Sequence, residues 1–280
     1  MENKRIEAYI NQIDSNSISL FYSGTAQKKS NDQSFAFQVN KNFYYLSNIN
    51  QEHCWLMIVQ AEKTQKSYLF IEPVDEQKAL WDGTTLTFDE AKALSQVDEV
   101  KSILEFETFL GQMLSATRAN IFGELHTLYF DFESQKEYES PSHVHLMSEK
   151  ILKKFPYLTI KNSHITLARL RMIKDHKEVE SIKKALSITE QAFHHMMKTV
   201  KPNMKEYEVE AHYNFILNMN LTKPSFNTIC ASGGNATVLH YIENKDMIKD
   251  GDLLLCDAGC EIDQYCSDIT RTFPANGTFT

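Results

Sequence analysis

Two aspartates near the end of the chain, Asp257 and Asp268, have a spacing that lets them act together. They lie in residues 250–274, DGDLLLCDAGCEIDQYCSDITRTFP, where a tight turn at Ile262 and Asp263 would place them directly opposite each other in an antiparallel hairpin. Opposed Cβ atoms lie about 4.5–5.5 Å apart, and two such carboxylates raise each other's pKa unless a cation lies between them. Paired metal ions in hydrolases lie about 3.5–4 Å apart, which two carboxylates can organise. The spacing predicts either a metal centre or a solvated hairpin with two exposed acids.

The residues around this pair resemble the first metal-binding segment of the Xaa-Pro aminopeptidases, the aminopeptidase P branch of the pita-bread metallopeptidases. The resemblance is carried by residues 238–280, VLHYIENKDMIKDGDLLLCDAGCEIDQYCSDITRTFPANGTFT. Upstream, residues 43–52, FYYLSNINQE, are similar to a signature of the family's N-terminal domain. The resemblance implies that Asp257 and Asp268 are two of five ligands in a site that usually holds two Mn²⁺ ions.

The resemblance also implies roles for His240 and Thr270. His240, in the sequence LHY, matches a histidine that faces the substrate near the metals. Thr270 would hydrogen-bond a ligand carboxylate, as outer partners do when they orient metal ligands. The implied reaction removes the N-terminal residue from peptides with proline in the second position, through attack by a metal-bridging hydroxide. Proline-containing peptides are the implied partners, and no phosphate-binding glycine loop indicates a nucleotide cofactor.

The family's other three ligands, one histidine and two glutamates, follow the SDITRTF strand, whereas no histidine follows His240 in this sequence. We therefore expect these 280 residues alone to be inactive, as a fragment of a longer protein or as a natural truncation. Apolar faces left uncovered around the hairpin predict either self-association into a homo-oligomer or fraying of that segment. Two alternative functions remain: a prolidase that cleaves only dipeptides, and a non-catalytic relative that binds peptides or proteins without metal.

Composition narrows the class of protein. The chain is 42% hydrophobic, which suits a folded protein with a sizeable core, and its net charge of −8 argues against a nucleic-acid binder. The N-terminus shows no signal-peptide pattern, and no apolar window is long enough for a membrane span. Five cysteines, an odd number, favour reduced thiols over disulfides. These features predict a cytoplasmic protein that does not bind membranes.

The elements that must position the aspartates form two predicted domains. Residues 1–165 alternate strand-like and helix-like segments, which predicts an α/β domain. The predicted strands are 18–22, 42–47, 54–60, 67–72, 119–123 and 127–132, and the predicted helices lie near 87–96, 104–117 and 143–154. The resemblance implies that residues 166–280 form the first half of an α+β pita-bread domain.

The second domain is expected to begin with two helices. Asp175 and Glu178 have the spacing of a capping box, and the helix that they begin runs until Pro202. A second helix over about 205–219 precedes predicted strands at 226–231 and 237–242. The hairpin with the two aspartates follows these elements.

Overall fold

A computed structural model describes residues 3–62, 64–115, 122–132 and 140–279. The chain divides into two compact units, Met1–Ile173 and Lys174–Thr280. The division lies after Ile173 rather than after residue 165, where the sequence predicted it. The helix that begins at His164 belongs to the first unit, because its Leu167 is buried in the core of that unit. Within the described residues, no helix is both long enough and apolar enough to cross a membrane.

The first unit is built on a six-stranded mixed sheet with the order β4-β3-β2-β1-β5-β6. Its strands are β1 (Ser17–Tyr22), β2 (Trp55–Gln60), β3 (Gln65–Ile71), β4 (Glu99–Ser102), β5 (Thr127–Phe130) and β6 (Thr159–Asn162). Strands β1, β2 and β3 pair antiparallel, whereas β4, β5 and β6 pair parallel with their neighbours. The strands predicted at 18–22, 54–60, 67–72 and 127–132 are confirmed.

Helices cover both faces of this sheet. They are α1 (Lys4–Ile10), α2 (Lys41–Ser47), α3 (Glu76–Asp82), α4 (Phe88–Ser95), α5 (Phe106–Leu114), α6 (His143–Lys154) and α7 (His164–Met172), with a 3-10 turn at Ile103–Glu105. Trp55, Met57 and Val59 of β2 share a core with residues of α5 and α6. The alternate residues Leu56 and Ile58 share a second core with residues of α1, α2, α4 and α7. The predicted α/β fold of this unit is confirmed.

The strand predicted at residues 42–47 is wrong, because this segment is helix α2. Its aromatic residues are typical of strands, but its ends carry helix caps. The Asn40 side chain accepts hydrogen bonds from the first backbone N–H groups, and Asn48 ends the helix with a left-handed φ of 55°. Another strand was predicted at 119–123. Residues 119–121 lie outside the described residues, and residues 122 and 123 are not in a strand.

The second unit places two helices against two three-stranded sheets, ordered β11-β10-β7 and β12-β9-β8. Its elements are α8 (His176–Thr199), α9 (Glu206–Met219), β7 (Lys223–Pro224), β8 (Ile229–Ser232), a 3-10 turn (Gly233–Thr237), β9 (Leu253–Ala258), β10 (Cys260–Ile262), β11 (Tyr265–Cys266) and β12 (Ile269–Pro274). The predicted capping box is confirmed: Glu178 N donates to Asp175 Oδ1 at 2.9 Å, and Asp175 N donates to Glu178 Oε2 at 2.8 Å.

The core of this unit lies between the helices and one face of β8 and β9. Phe193 of α8 and Tyr213 of α9 are buried there with Cys230, Leu254 and Cys256. Alternate residues of β9 therefore point away from the helices, and Asp257 is one of them. The core fixes the strand, so the carboxylate is presented from a rigid support.

The strand predicted at residues 237–242 is wrong. The 3-10 turn ends at Thr237, and the chain continues as an irregular segment in which Leu239 is 90% exposed. At the edge of β8, the side chain of Asn244 makes hydrogen bonds to the backbone that a neighbouring strand would otherwise make. Its Oδ1 accepts from Cys230 N at 2.9 Å, and its Nδ2 donates to Thr228 O at 2.8 Å. The segment is thus held by side-chain hydrogen bonds, which hydrophobic periodicity does not reveal.

Candidate functional site

The hairpin turns at Asp263 and Gln264, one residue later than predicted. Both residues have positive φ, 49° and 67°, and Ile262 pairs with Tyr265 across the turn. Two central residues with positive φ are the signature of a type I′ hairpin turn. The predicted turn at Ile262 and Asp263 is wrong because a β-branched isoleucine strongly disfavours positive φ, whereas aspartate tolerates it.

This register pairs Asp257 with Thr270 rather than with Asp268. The predicted direct opposition of the two aspartates is therefore wrong. When the turn moves by one residue, the residue opposite Asp257 changes by two positions, from Asp268 to Thr270. Residues two apart in a strand share a face, so Asp268 remains on the face of Thr270 and lies diagonally across from Asp257. Burial and the nearby charge of Asp257 raise the pKa of Asp268. The two carboxylates are thus close enough to repel each other, as the spacing indicated.

Thr270 is joined directly to the first carboxylate. Its Oγ1 donates a hydrogen bond to Asp257 Oδ1 at 2.6 Å. A hydroxyl that donates to one carboxylate oxygen fixes the rotation of the group and leaves its other oxygen available. The contact therefore sets the orientation of the Asp257 carboxylate.

The backbone before Asp268 is held by an unusually close approach. A Cβ on Gly259 would lie 1.8 Å from the carbonyl oxygen of Ser267, so only glycine fits there. The Ser267 hydroxyl hydrogen-bonds Thr189 Oγ1 at 2.7 Å, and Ser225 Oγ donates to the Ser267 carbonyl at 2.9 Å. These contacts fix the main chain from which Asp268 projects.

His240 lies in the irregular segment after the 3-10 turn, and it is exposed. The next residue, Tyr241, is buried and packs with Ile229 and Leu255. Ile229 is the cross-strand partner of Asp257, and Leu255 shares the face of Asp257 on β9. Tyr241 therefore anchors the segment of His240 to the face of the sheet that carries the carboxylates.

Sequence reasoning missed two buried residues that hold this segment, Glu206 and Asn244. Glu206 is fully buried at the start of α9, and Tyr241 donates to its Oε2 at 2.7 Å. Nothing in the sequence distinguishes Glu206 from an ordinary acidic residue in a first helical turn. Asn244 carries a weak signal, because it follows the LHY motif in a polar stretch that suits a turn.

The carboxylates can contribute part of a metal site. Among the described residues, no group of three or more His, Cys, Asp or Glu side chains could hold a metal ion. Asp257 and Asp268 supply oxygen donors on one face, which suits a hard divalent cation, and their mutual repulsion is what a cation would relieve. The two residues fit such an ion as two of its ligands.

Two family models match the chain, one for each unit. The aminopeptidase P N-terminal domain matches residues 3–122, and metallopeptidase family M24 matches residues 180–280. A Bacillus anthracis structure provisionally assigned as an aminopeptidase P is 33% identical, with a TM-score of 0.94 over 100% of this chain and 67% of that chain. The chain belongs to the aminopeptidase P family. Its predicted fold, an α/β domain followed by residues of a pita-bread domain, is thereby confirmed.

Other aminopeptidase P proteins are also similar to this chain over nearly its whole length. The Xaa-Pro aminopeptidase of Haemophilus influenzae is 34% identical over 96% of this chain and 59% of its own length. A structure of Escherichia coli aminopeptidase P in complex with substrate is 29% identical, with a TM-score of 0.87 over 99% of this chain and 62% of that chain. The chain thus spans about three fifths of the length of these two relatives.

Proposed function

We propose that this member of the aminopeptidase P family is a metal-dependent Xaa-Pro aminopeptidase. The observation that carries the proposal is the Asp257 carboxylate, oriented by Thr270 and close to Asp268, on a rigid strand of the unit that matches family M24. Relatives that are named Xaa-Pro aminopeptidase match both units of the chain. Activity is a property of the whole natural protein, because the chain spans only part of these relatives.

In this proposal Asp257 and Asp268 hold divalent metal, and Thr270 fixes the carboxylate of Asp257. The metal is proposed to be Mn²⁺, since carboxylate oxygens suit hard ions. When bound, such ions polarise a carbonyl group and activate water for hydrolysis. Residues 1–280 on their own are proposed to bind metal weakly and to be inactive, because their described part offers no third ligand beside the two aspartates.

His240 is proposed to face the substrate. It is exposed, whereas its neighbour Tyr241 is buried on the carboxylate face, so the ring is free to contact a bound peptide. An imidazole can donate a hydrogen bond to the carbonyl oxygen of the bond that precedes proline. The partner in this proposal is a peptide with proline in its second position.

Two further features support proposals on the cellular location and the oligomeric state of the protein. None of the five cysteines, all in the described part of the chain, forms a disulfide, which supports a reducing compartment such as the cytoplasm. In the first unit, Leu80, Trp81 and Leu104 are each more than 80% exposed, at 86%, 89% and 82%. Large exposed apolar side chains support a homo-oligomer, in which a second copy covers them.

The test compares three substrates with the whole natural protein, first stripped of metal and then supplied with Mn²⁺. The proposal expects hydrolysis of a tripeptide with proline in the second position, and little hydrolysis of a matched tripeptide with alanine there. A protein that cleaves only the Xaa-Pro dipeptide is a prolidase instead. Equal rates before and after removal of metal would contradict the proposal.

A further inference from the structure

Glu206 is a buried carboxylate whose hydrogen bonds all reach one segment of the chain. Its Oε1 accepts from Ser232 N at 2.7 Å, from Ser232 Oγ at 2.7 Å and from Asn235 Nδ2 at 3.1 Å. Its Oε2 accepts from Tyr241 Oη at 2.7 Å and from Asp246 N at 3.0 Å. An ionised carboxylate has about four acceptor sites, so these donors satisfy it fully.

The pKa of Glu206 indicates that these donors stabilise the charged form of the carboxylate. Burial alone would raise the pKa of Glu206, but hydrogen bonds from Ser232, Tyr241 and Asn235 hold it below the ordinary value. A buried charge without such partners costs several kcal/mol. Capping of helix α9 does not require it, because the Glu208 side chain accepts from Lys205 N at the start of that helix.

The residues that Glu206 binds lie on both sides of His240. Ser232 and Asn235 precede it, whereas Tyr241 and Asp246 follow it. The exposed His240 therefore lies in a loop whose two arms are tied to a single buried group. Asn235 strengthens the tie, because its Nδ2 also donates to Tyr241 Oη at 3.0 Å.

The same contacts connect the loop to the carboxylate face. The ring of Tyr241 packs with Ile229, which is paired with Asp257 in the ladder. The loop that Glu206 binds is therefore connected through Tyr241 to the strand next to Asp257. Strand β9 itself packs against the helix core through Leu254 and Cys256.

We propose that Glu206 is a positioning residue, which acts through Tyr241 and Asn235 to fix the loop of His240 against the strand of Asp257. This inference rests on the proposed function, in which His240 faces the substrate and Asp257 holds metal. Glu206 itself contacts neither, so it acts only through the loop. Positioning of this kind matters because small displacements of a group that contacts the reacting atoms reduce turnover steeply.

The test uses Glu206→Gln and Tyr241→Phe in the whole natural protein loaded with Mn²⁺. The matched control is Tyr265→Phe, which removes another tyrosine–glutamate hydrogen bond of the same unit, from Tyr265 Oη to Glu178 Oε1 at 2.8 Å. Both test variants are expected to speed amide hydrogen exchange of residues 233–246 at least tenfold. They are expected to leave exchange in β9 and β12, and the metal content, unchanged.

The same variants are expected to lower kcat at least tenfold with little change in KM, whereas the control leaves both unchanged. The effect of the double variant on kcat should be smaller than the sum of the two single effects, because Glu206 and Tyr241 share a hydrogen bond. Unchanged exchange in residues 233–246, or a loosened loop with full kcat, would overturn the inference. General loss of protection in Glu206→Gln with no effect of Tyr241→Phe would also overturn it, since the carboxylate would then serve stability alone.

A result that contradicts the proposed aminopeptidase function can be distinguished from one that contradicts the role of Glu206. Wild-type protein that contains Mn²⁺ but cleaves no proline-containing peptide contradicts the aminopeptidase activity. Hydrogen exchange and the NMR signals of the His240 ring would still decide whether Glu206 fixes the loop. Ring signals that are unaffected by Glu206→Gln contradict the inference in either case.

Discussion

The Thr270 hydroxyl donates to the Asp257 carboxylate at 2.6 Å from the position directly across the ladder between β9 and β12. The pairing is set by the turn at Asp263 and Gln264, because hairpin register follows from turn geometry. Thr270 thus occupies the place that simple spacing assigns to Asp268. One strand pair therefore supplies a carboxylate, the group that orients it, and a second carboxylate on the diagonal.

Replacing Thr270 with valine tests the role of this hydroxyl. Thr270→Val keeps the shape of the side chain and removes the donor, so we expect Mn²⁺ affinity to fall about 10–100-fold. Thr270→Ser should restore most of the affinity. Thr272 lies two residues along the same strand and is also exposed, so Thr272→Val is the matched control. Calorimetric titration of the whole protein measures the affinities, and equal values for Thr270→Val and wild type would exclude an orienting role.

Gly259→Ala should destabilise the second unit. The new Cβ would lie 1.8 Å from the Ser267 carbonyl oxygen, and a backbone atom cannot rotate away as a flexible side chain can. We expect a loss of about 1–3 kcal/mol or more in the free energy of unfolding. Gly234→Ala is the control, because nothing lies within 4 Å of a Cβ there. Urea unfolding measures both, and similar midpoints for the two variants would contradict the close approach.

Two of the three errors in local structure, the strand at 42–47 and the position of the turn, have clear physical causes. The segment at 42–47 is rich in aromatic residues and was predicted as a strand, but the cap residues Asn40 and Asn48 determine a helix. The turn was predicted from the symmetry of the two aspartates, whereas positive φ excludes Ile262 from a central position. Long periodic segments such as α8 were predicted correctly, since a capping box and a regular apolar face agree there.

Glu206 makes stability depend on pH in a defined direction. Its pKa in the folded protein is below the ordinary value of 4.5, because hydrogen bonds to the charged form outweigh burial. The group therefore stabilises the fold above its unfolded pKa, and this stabilisation is lost as the pH falls through the folded pKa. We expect Glu206→Gln to cost about 1–3 kcal/mol near pH 7, and the difference from wild type to shrink below pH 4.5.

Urea unfolding followed by circular dichroism between pH 7 and pH 4 measures this difference. Glu180→Gln is the control, since the side chain of Glu180 is 46% exposed and pairs only with the exposed Lys183 among the ion pairs that the structure describes. Its effect should be small at every pH. A difference for Glu206→Gln that grows as the pH falls would contradict the sign of the shift.

The thiols should differ sharply in reactivity. Cys266 is exposed, whereas Cys54, Cys230, Cys256 and Cys260 are buried. Burial raises the pKa of Cys54 to about 12, so it is protonated at ordinary pH. Among residues 1–280, a disulfide reagent at pH 8 should therefore modify one thiol rapidly in the folded state and five after unfolding. Cys266→Ser should abolish the rapid phase, and rapid reaction of a second thiol in that variant would contradict the burial.

Only part of the candidate site could be predicted from the sequence. Asp257, Asp268 and Thr270 could be placed on one face because strand alternation survives a change of register by two residues. The support of His240 could not be predicted, because it depends on side-chain hydrogen bonds between distant segments. Glu206 accepts from Tyr241, which lies 35 positions further along the chain, and no local pattern encodes such a contact.

The central claim is that Asp257 and Asp268 hold metal while His240 faces the substrate. The most direct measurement is the Mn²⁺ content of the whole natural protein and its turnover of a tripeptide with proline in the second position, for Asp268→Asn and His240→Ala in parallel. The account predicts that Asp268→Asn loses bound Mn²⁺ and turnover together, whereas His240→Ala keeps its Mn²⁺ and loses most of its kcat. Full metal content and activity in Asp268→Asn, or loss of metal from His240→Ala, would contradict it.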